Sequence, residues 1–342
     1  MTTCVMNLKF FTFAGFISLI FYCSLTNAQP EINDGIVSSV HRFNFKTGIK
    51  SVIPYHNRFL CLNFDNNLFF VDPKTNRVDL SVNEYSSNFR FENLKVVDDT
   101  IVGEVPWGKY YFLDTLKKLW RTYSFKKHAY PGILIFQDDD YFISKTCSGE
   151  DGGTVYFTNK TNLNIYEAAC NCAVNVVKSA GYYHVTASLS HMAGFVKILR
   201  VKDPSMLKLY NNLDIWRLDE NGYPESTSRK GTEMLVDTSE VTFAGSFKYK
   251  NSLLYIIQEN VFENNDFGDL SHVSVDSIKH NKLVKLYNFK NWGVSETGFQ
   301  NFSYNTTIIS PFGPFDNNRR PSGFIYIDDN RLNLFIFDRQ TK

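Results

Sequence analysis

The sequence Phe69-Phe70-Val71-Asp72-Pro73-Lys74-Thr75-Asn76 is one copy of a pattern that recurs along this chain. A short aromatic or aliphatic strand ends in Asp or Asn, a turn follows, and another strand begins. Copies follow one another about every 44 residues and then at two longer intervals, and a period of this size is typical of the blades of a β-propeller. The turn residues of the later copies are Asp114, Asn159, Asp203, Asp276 and Asp328.

The composition agrees with an all-β fold. Helical periodicity is nearly absent, and short runs of Phe, Tyr, Val, Ile and Leu are broken by Asn, Asp and Gly. The 31 Phe and 19 Tyr residues supply the large apolar side chains that sheets packed face to face require. In the third repeat the pattern predicts strands at 132–137, 141–146, 154–158 and 163–167.

On this template the sequence predicts a six-bladed β-propeller, closed by an N-terminal strand at 37–45 that joins the last blade and removes a free sheet edge. The residues 213–240 interrupt the period; we interpret them as an excursion from the fourth blade, and a seventh blade is the alternative. The predicted blades are 50–83, 92–125, 131–168, 174–211, 245–289 and 300–338.

The N-terminus predicts secretion. Lys9 precedes an apolar run over 10–25, and Thr26-Asn27-Ala28 offers small residues for cleavage. We therefore expect a signal peptide at 1–28 and a single β-propeller domain at 29–342, located outside the cell. Three sequons predict N-glycosylation of the secreted chain, at Asn159, Asn301 and Asn305.

Charge argues against two classes of partner. The 36 basic and 35 acidic residues are interspersed and give a formal charge of +1. There is no basic stripe to bind phosphates and no polybasic patch for a membrane surface, so neither nucleic acid nor membrane is an expected partner.

Four cysteines remain after removal of the signal peptide, and outside the cell they predict disulfides. The pair Cys170 and Cys172 has no zinc-site spacing. We expect Cys147 to form a bridge with Cys170 or with Cys172, because the propeller template places all three in neighbouring loops.

No motif for catalysis is present. The histidines are scattered, and neither an HExxH nor a GxSxG sequence occurs. The acidic runs 98–99, 138–140 and 328–330 directly follow hydrophobic strands, where Asp and Asn favour turns, so we interpret them as turns rather than calcium ligands. The prediction is a non-enzymatic protein without cofactor or metal.

The template also predicts where a ligand would bind. Loops between second and third strands, and those that join successive blades, meet at one face of the ring. Aromatic rings with neighbouring arginines suit a planar, partly anionic ligand or a protein partner. The candidate ligand-binding residues are Trp107, His191, Phe262, Trp292, Phe312, Arg319 and Arg320, with Met192, Phe267 and Phe315 on the same face.

The size, the signal peptide, the lack of a catalytic motif and repeat sequences such as Asn67-Leu68-Phe69-Phe70-Val71-Asp72 resemble secreted insect propellers of the ommochrome-binding type. The yellow and royal-jelly propellers are more distant. The resemblance implies a secreted carrier of a small aromatic ligand such as a pigment. Two alternatives are a salivary or venom effector that binds an extracellular host protein, and a calcium-dependent hydrolase of the lactonase-like class.

Overall fold

Short β-strands joined by turns make up nearly all of the described chain, as its runs of aromatic and β-branched residues predict. The first strand, β1, is Val37–Asn44. The computed structural model describes residues 36–44, 48–85, 89–97, 100–106, 109–124, 130–147, 149, 152–189, 194–210, 227–259, 262–263, 266–267, 272–289, 292–294, 299–302, 306–309, 312–314, 322–328 and 331–338.

The first three blades each contain a run of four antiparallel strands. Blade one consists of β2 (Ile49–Tyr55), β3 (Arg58–Asn63), β4 (Leu68–Asp72) and β5 (Arg77–Asp79), followed by a 3-10 turn at Asn83–Tyr85. Blade two consists of β6 (Asn93–Val97), β7 (Thr100–Val105), β8 (Lys109–Asp114) and β9 (Leu119–Tyr123). Blade three consists of β10 (Ile133–Gln137), β11 (Tyr141–Lys145), β12 (Thr154–Asn159) and β13 (Ile165–Ala169).

The later blades carry insertions between their strands. Blade four consists of β14 (Ala173–Ser179), β15 (Tyr182–Leu189), β16 (Phe195–Val201) and β18 (Thr232–Ser239), with a 3-10 turn at Pro204–Met206 and β17 (Lys208–Leu209) in between. Blade five consists of β19 (Val241–Tyr249), β20 (Ser252–Glu259), β23 (His272–Lys279) and β24 (Lys282–Phe289), with the short pair β21 (Phe262–Glu263) and β22 (Asp266–Phe267) inserted. Blade six contains β26 (Phe299–Phe302), β27 (Thr306–Ile309), β29 (Gly323–Asp328) and β30 (Arg331–Asp338), and β25 (Trp292–Val294) pairs with β28 (Phe312–Pro314) beside it.

The six blades form a closed ring, so the predicted all-β, six-bladed β-propeller is confirmed. β1 pairs with β30, from Val37 opposite Leu332 to Asn44 opposite Asp338. This is the predicted closure by an N-terminal strand. The pairing is parallel, in contrast to the antiparallel ladders within the blades.

In the described chain, hydrophobic clusters fill five of the spaces between neighbouring blades. They lie between blades one and two, three and four, four and five, five and six, and six and one. Hydrogen bonds between side chains also connect the first strands of neighbouring blades. Between blades one and two, the hydroxyl of Ser51 donates to Asn93 Oδ1 at 2.7 Å. Between blades four and five, the hydroxyl of Ser246 donates to Asn175 Oδ1 at 2.6 Å. Each blade is therefore stabilised by its neighbours rather than by its own sheet alone.

The residues 213–240, interpreted as an excursion, contain β18, the outer strand of blade four, so the predicted outer strand near 211 was wrong. β17 pairs with β13 of blade three, through Leu209 opposite Tyr166. The outer strand of blade four is β18, which pairs with β16 from Thr232 to Ser239. The eight residues of β18 can form backbone hydrogen bonds along the whole length of β16, whereas the two residues of β17 cannot. The residues 211–226 lie outside the described chain.

Candidate functional site

The antiparallel strands of each blade create two different faces. We call the turn face the one that carries the turns between first and second and between third and fourth strands. The loop face carries the loops between second and third strands and the connections between blades. The sequence predicts a ligand site on the loop face, whereas the cavity observed in the described chain opens on the turn face.

This cavity, of about 260 Å³, lies between blades three and four. Four turns supply its walls, two from each blade, so residues far apart in sequence meet there. It is open to solvent and combines two tyrosine rings with side chains of both charges. The lining residues are Asp140, Tyr141, Asn159, Lys178, Gly181, Tyr183, Lys202, Asp203 and Pro204.

A buried carboxylate beneath the cavity holds its two blades together. Asp138, in the first turn of blade three, is 7% exposed. Its Oδ1 accepts hydrogen bonds from the backbone N–H groups of Asp140 and Tyr141. Its Oδ2 lies 2.6 Å from Nζ of Lys178 and accepts a hydrogen bond of 2.7 Å from the hydroxyl of Tyr183. One side chain therefore closes its own turn and binds two residues of blade four.

These contacts set the charge states of the three groups. Burial would raise the pKa of Asp138, but the hydrogen bonds from Lys178, Tyr183 and the backbone outweigh it, so this pKa is lowered. Burial would lower the pKa of Lys178, but the hydrogen bond to Asp138 outweighs it and this pKa is raised. The pKa of Tyr183 is raised, first by burial and then by Asp138. Lys178 and Asp138 are therefore both charged at neutral pH.

The wall formed by blade four presents a cation, Lys202, that forms no ion pair with the described residues. Lys202 lies just after β16. Asp203 follows it and accepts a hydrogen bond from the backbone N–H of Ser205, which caps the short 3-10 turn. This turn fixes the backbone next to Lys202. The side chain of Lys202 can therefore bind an anionic group in the cavity.

Asn159 and Tyr141 form the third wall, as directly opposite residues of β12 and β11. The Oδ1 atom of Asn159 accepts hydrogen bonds from the backbone N–H groups of Thr161 and Asn162. The pKa of Tyr141 is raised, because burial outweighs the opposing effect of the neighbouring Asn159 side chain. The predicted glycosylation site Asn159 thus belongs to the cavity wall.

On the loop face, the predicted disulfide is present. Cys147, between β11 and β12, is bonded to Cys172 in the connection from blade three to blade four. The partner of Cys147 is therefore Cys172 rather than Cys170. Cys170 is a buried free thiol, and burial raises its pKa to about 12. Gly153 is required beside this bridge, because a Cβ atom there would lie 2.9 Å from both Cys170 O and Cys172 N.

Two of the predicted ligand-binding residues are described with their side chains. Trp292 is 6% exposed and Phe312 1% exposed, and their ring centroids lie 5.2 Å apart. Both also contact Phe289. Their rings therefore pack the core between blades five and six, and contact with a ligand stays a prediction.

The remaining predicted residues are only partly described or not described. Phe262 and Phe267 are paired across β21 and β22, and Asn301 lies in β26, but their side chains are not described. The others fall outside the described residues: Trp107, His191, Met192, Asn305, Phe315, Arg319 and Arg320.

No family model matches this chain, and no curated protein matches it. Among solved structures it is similar to the β-propeller domain of Cps50 (Swd1) from Myceliophteria thermophila, with 10% identity, a TM-score of 0.31, and coverage of 84% of this chain and 82% of that one. It is also similar to U3-55K, with 8% identity, a TM-score of 0.34, and coverage of 85% and 82%. A third is the N-terminal domain of Nup159, with 10% identity, a TM-score of 0.27, and coverage of 86% and 63%. TM-scores below 0.5 support no inference about function.

Two further observations concern metals and membranes. The described residues contain no group of three or more His, Cys, Asp and Glu side chains that could hold a metal ion. Neither short helix of the described chain is long and apolar enough to span a bilayer.

Sequence reasoning missed the residues that form the cavity, apart from Asn159 and the turn at Asp138. Lys178 and Tyr183 flank the tight turn at Gly181, and Lys202 precedes the Asp203-Pro204 turn. Each resembles an ordinary turn neighbour in the sequence. The one available signal was that the turns of blades three and four share a face, so that their charged and aromatic neighbours meet there.

Proposed function

We propose that this protein is a secreted, non-enzymatic binding protein, and that the cavity between blades three and four takes a small aromatic ligand carrying both a carboxylate and an amino group. The propeller fold fits a binding or scaffold role. The observation that supports the finer proposal is the combination, in one cavity, of the Tyr141 ring, of Lys202, which no ion pair joins to another described residue, and of two carboxylates.

The chemistry of each wall matches one part of such a ligand. The half-buried ring of Tyr141 suits an aromatic ring, whereas the ring of Tyr183 is 3% exposed and packs in the core beneath it. Lys202 suits a carboxylate, and the carboxylates of Asp140 and Asp203 suit an ammonium group. The cavity is slightly smaller than most drug-sized pockets, which are larger than about 300 Å³, so a ligand of the size of one aromatic amino acid fits best.

The test is calorimetric titration with L-kynurenine and L-tryptophan. The described residues that line the cavity include no tryptophan, so ligand binding is measured by heat rather than by protein fluorescence. We expect L-kynurenine to bind, and both 2-aminoacetophenone and L-alanine to bind more weakly, because each offers only one half of the recognised groups. Lack of binding by every aromatic amino acid would contradict the proposal.

Substitution of Lys202 tests whether the ligand binds in this cavity. We expect Lys202→Ala to weaken the binding of L-kynurenine about tenfold, since a charge-assisted hydrogen bond contributes about 1.5 kcal/mol. Lys74→Ala is the matched control, because Lys74 lies in the Asp72-Pro73 turn at the same place in blade one, far from the cavity. Equal losses in both variants would place the ligand elsewhere.

Secretion is supported by the disulfide, since such bonds persist in oxidising compartments. Binding of an extracellular protein, as an effector, is a second candidate. It is favoured by three exposed apolar side chains in the turns and the short strand beside the cavity: Leu163 after β12, Met206 in the 3-10 turn after β16, and Leu209 in β17.

A further inference from the structure

We propose that an N-glycan on Asn159 covers the cavity between blades three and four and regulates access to it. This inference rests on the proposed function for its ligand-binding consequence. Its shielding of the cavity can be measured without any ligand.

The geometry of Asn159 is the first support. Its sequon continues with Lys160 and Thr161, and Asn159 is both the last residue of β12 and a wall of the cavity. The carbonyl oxygen Oδ1 is held by the backbone N–H groups of Thr161 and Asn162 at 2.9 and 3.1 Å. These two bonds orient the amide, and Asn159 lies directly opposite Tyr141, which also lines the cavity. The residue that would carry the sugar is therefore part of the cavity wall.

The attachment reaction has a simple balance. A bond forms between Nδ2 of Asn159 and C1 of the first N-acetylglucosamine. The bond from that C1 to the pyrophosphate of a lipid-linked oligosaccharide breaks, the lipid pyrophosphate leaves, and Nδ2 loses one proton to a base. Nδ2 keeps its second hydrogen, and the two hydrogen bonds that Oδ1 accepts are unaffected.

The size and chemistry of the cavity are the second support. An open cavity of about 260 Å³ is comparable to one sugar unit, so the first sugar would occupy or cover it. Lys202 and Asp203 offer a donor and an acceptor for sugar hydroxyls, and the ring of Tyr141 offers an apolar face. Leu163, in the same turn as the sequon, is 57% exposed and would be shielded as well.

The matched variants differ at the third position of the sequon, which does not line the cavity. Thr161→Ala abolishes the sequon and keeps Asn159, whereas Thr161→Ser retains the sequon. Wild type and both variants are expressed through a eukaryotic secretory pathway. Intact mass and glycopeptide mapping establish occupancy of Asn159, and absence of a glycan on wild-type Asn159 would overturn the proposal.

Shielding is then measured by brief acetylation of lysines and mass spectrometry. We expect Lys202 to react at least threefold more slowly in glycosylated wild type and Thr161→Ser than in Thr161→Ala. Lys74, in the corresponding turn of blade one, should react equally in all three proteins. Equal reactivity of Lys202 in the three proteins would contradict the proposal.

Titration with L-kynurenine separates the two proposals. If Thr161→Ala binds it at least tenfold more tightly than wild type, both hold. If no form binds it while Lys202 remains shielded by the glycan, the proposed ligand is wrong and the glycan cover stands. If all forms bind it equally and Lys202 is unshielded, the ligand proposal stands and the regulation is wrong.

Discussion

A single carboxylate, that of Asp138, connects the two blades that form the cavity. We expect Asp138→Ala to lower the free energy of unfolding by about 3 kcal/mol, because it leaves the Tyr183 hydroxyl without its acceptor, leaves Lys178 only its longer contact with Asp140, and opens a capped turn. Denaturant titration measures this loss. Asp140→Ala is the control: its side chain is 65% exposed and 3.4 Å from Lys178, so the expected loss is less than about 0.5 kcal/mol. Equal losses of unfolding free energy in the two variants would show that the hydrogen bonds of Asp138 do not stabilise the fold.

The same residue gives the protein a defined response to acid. The pKa of Asp138 is lower in the folded state than in the unfolded chain, so the folded state binds fewer protons. Its contribution is present above the ordinary Asp pKa of about 3.9 and is lost as the pH falls through the lowered folded value. We therefore expect Asp138→Asn to be less stable than wild type at pH 7 and to lose less stability between pH 5 and about 3. If the difference in unfolding free energy between wild type and Asp138→Asn stayed constant from pH 5 to about 3, the pKa of Asp138 would not be lowered by folding.

At the scale of elements, β1 closes the ring through its aromatic side chain. Phe43 is 3% exposed and stacks on Phe337 and Phe335 of β30, with centroids 5.1 and 6.1 Å away. We expect Phe43→Ala to lower the free energy of unfolding by about 3 kcal/mol or more, measured by denaturant titration. Ser38→Ala, on an exposed position of the same strand, should change it by less than about 0.5 kcal/mol. A small effect of Phe43→Ala would mean that closure does not depend on this packing.

The strands themselves were largely predictable from the sequence, because alternation and turn residues act locally. The third blade shows this: its second strand is Tyr141–Lys145 where 141–146 was predicted, and its third is Thr154–Asn159 where 154–158 was predicted. The spare strand at the N-terminus was also recognised, since the period left it without a blade. The direction of β1 was not predicted.

Pairing between distant segments was less predictable, because several strands compete for the same edge. The apolar residues around Leu207 and Leu209 continue the blade pattern, yet β17 joins blade three and β18 completes blade four. The cavity was missed for a related reason. Its walls come from four turns of two blades, which are far apart in the sequence. The prediction of a site on the loop face was based on the aromatic side chains there. Two of these, Trp292 and Phe312, are core residues.

For the whole molecule, the two faces of the ring can be tested against each other. The disulfide between Cys147 and Cys172 belongs to the loop face and the cavity to the turn face, at opposite ends of the strands of blades three and four. The bridge spans 25 residues, so the double variant Cys147→Ser, Cys172→Ser should lose about 3 kcal/mol of stability by denaturant titration. A protein with its ring intact should still bind L-kynurenine within about twofold of wild type, because the bridge lies at the opposite end of these strands from the cavity. If instead affinity falls tenfold while far-UV circular dichroism shows an unchanged fold, the ligand site lies on the loop face, as the sequence first indicated.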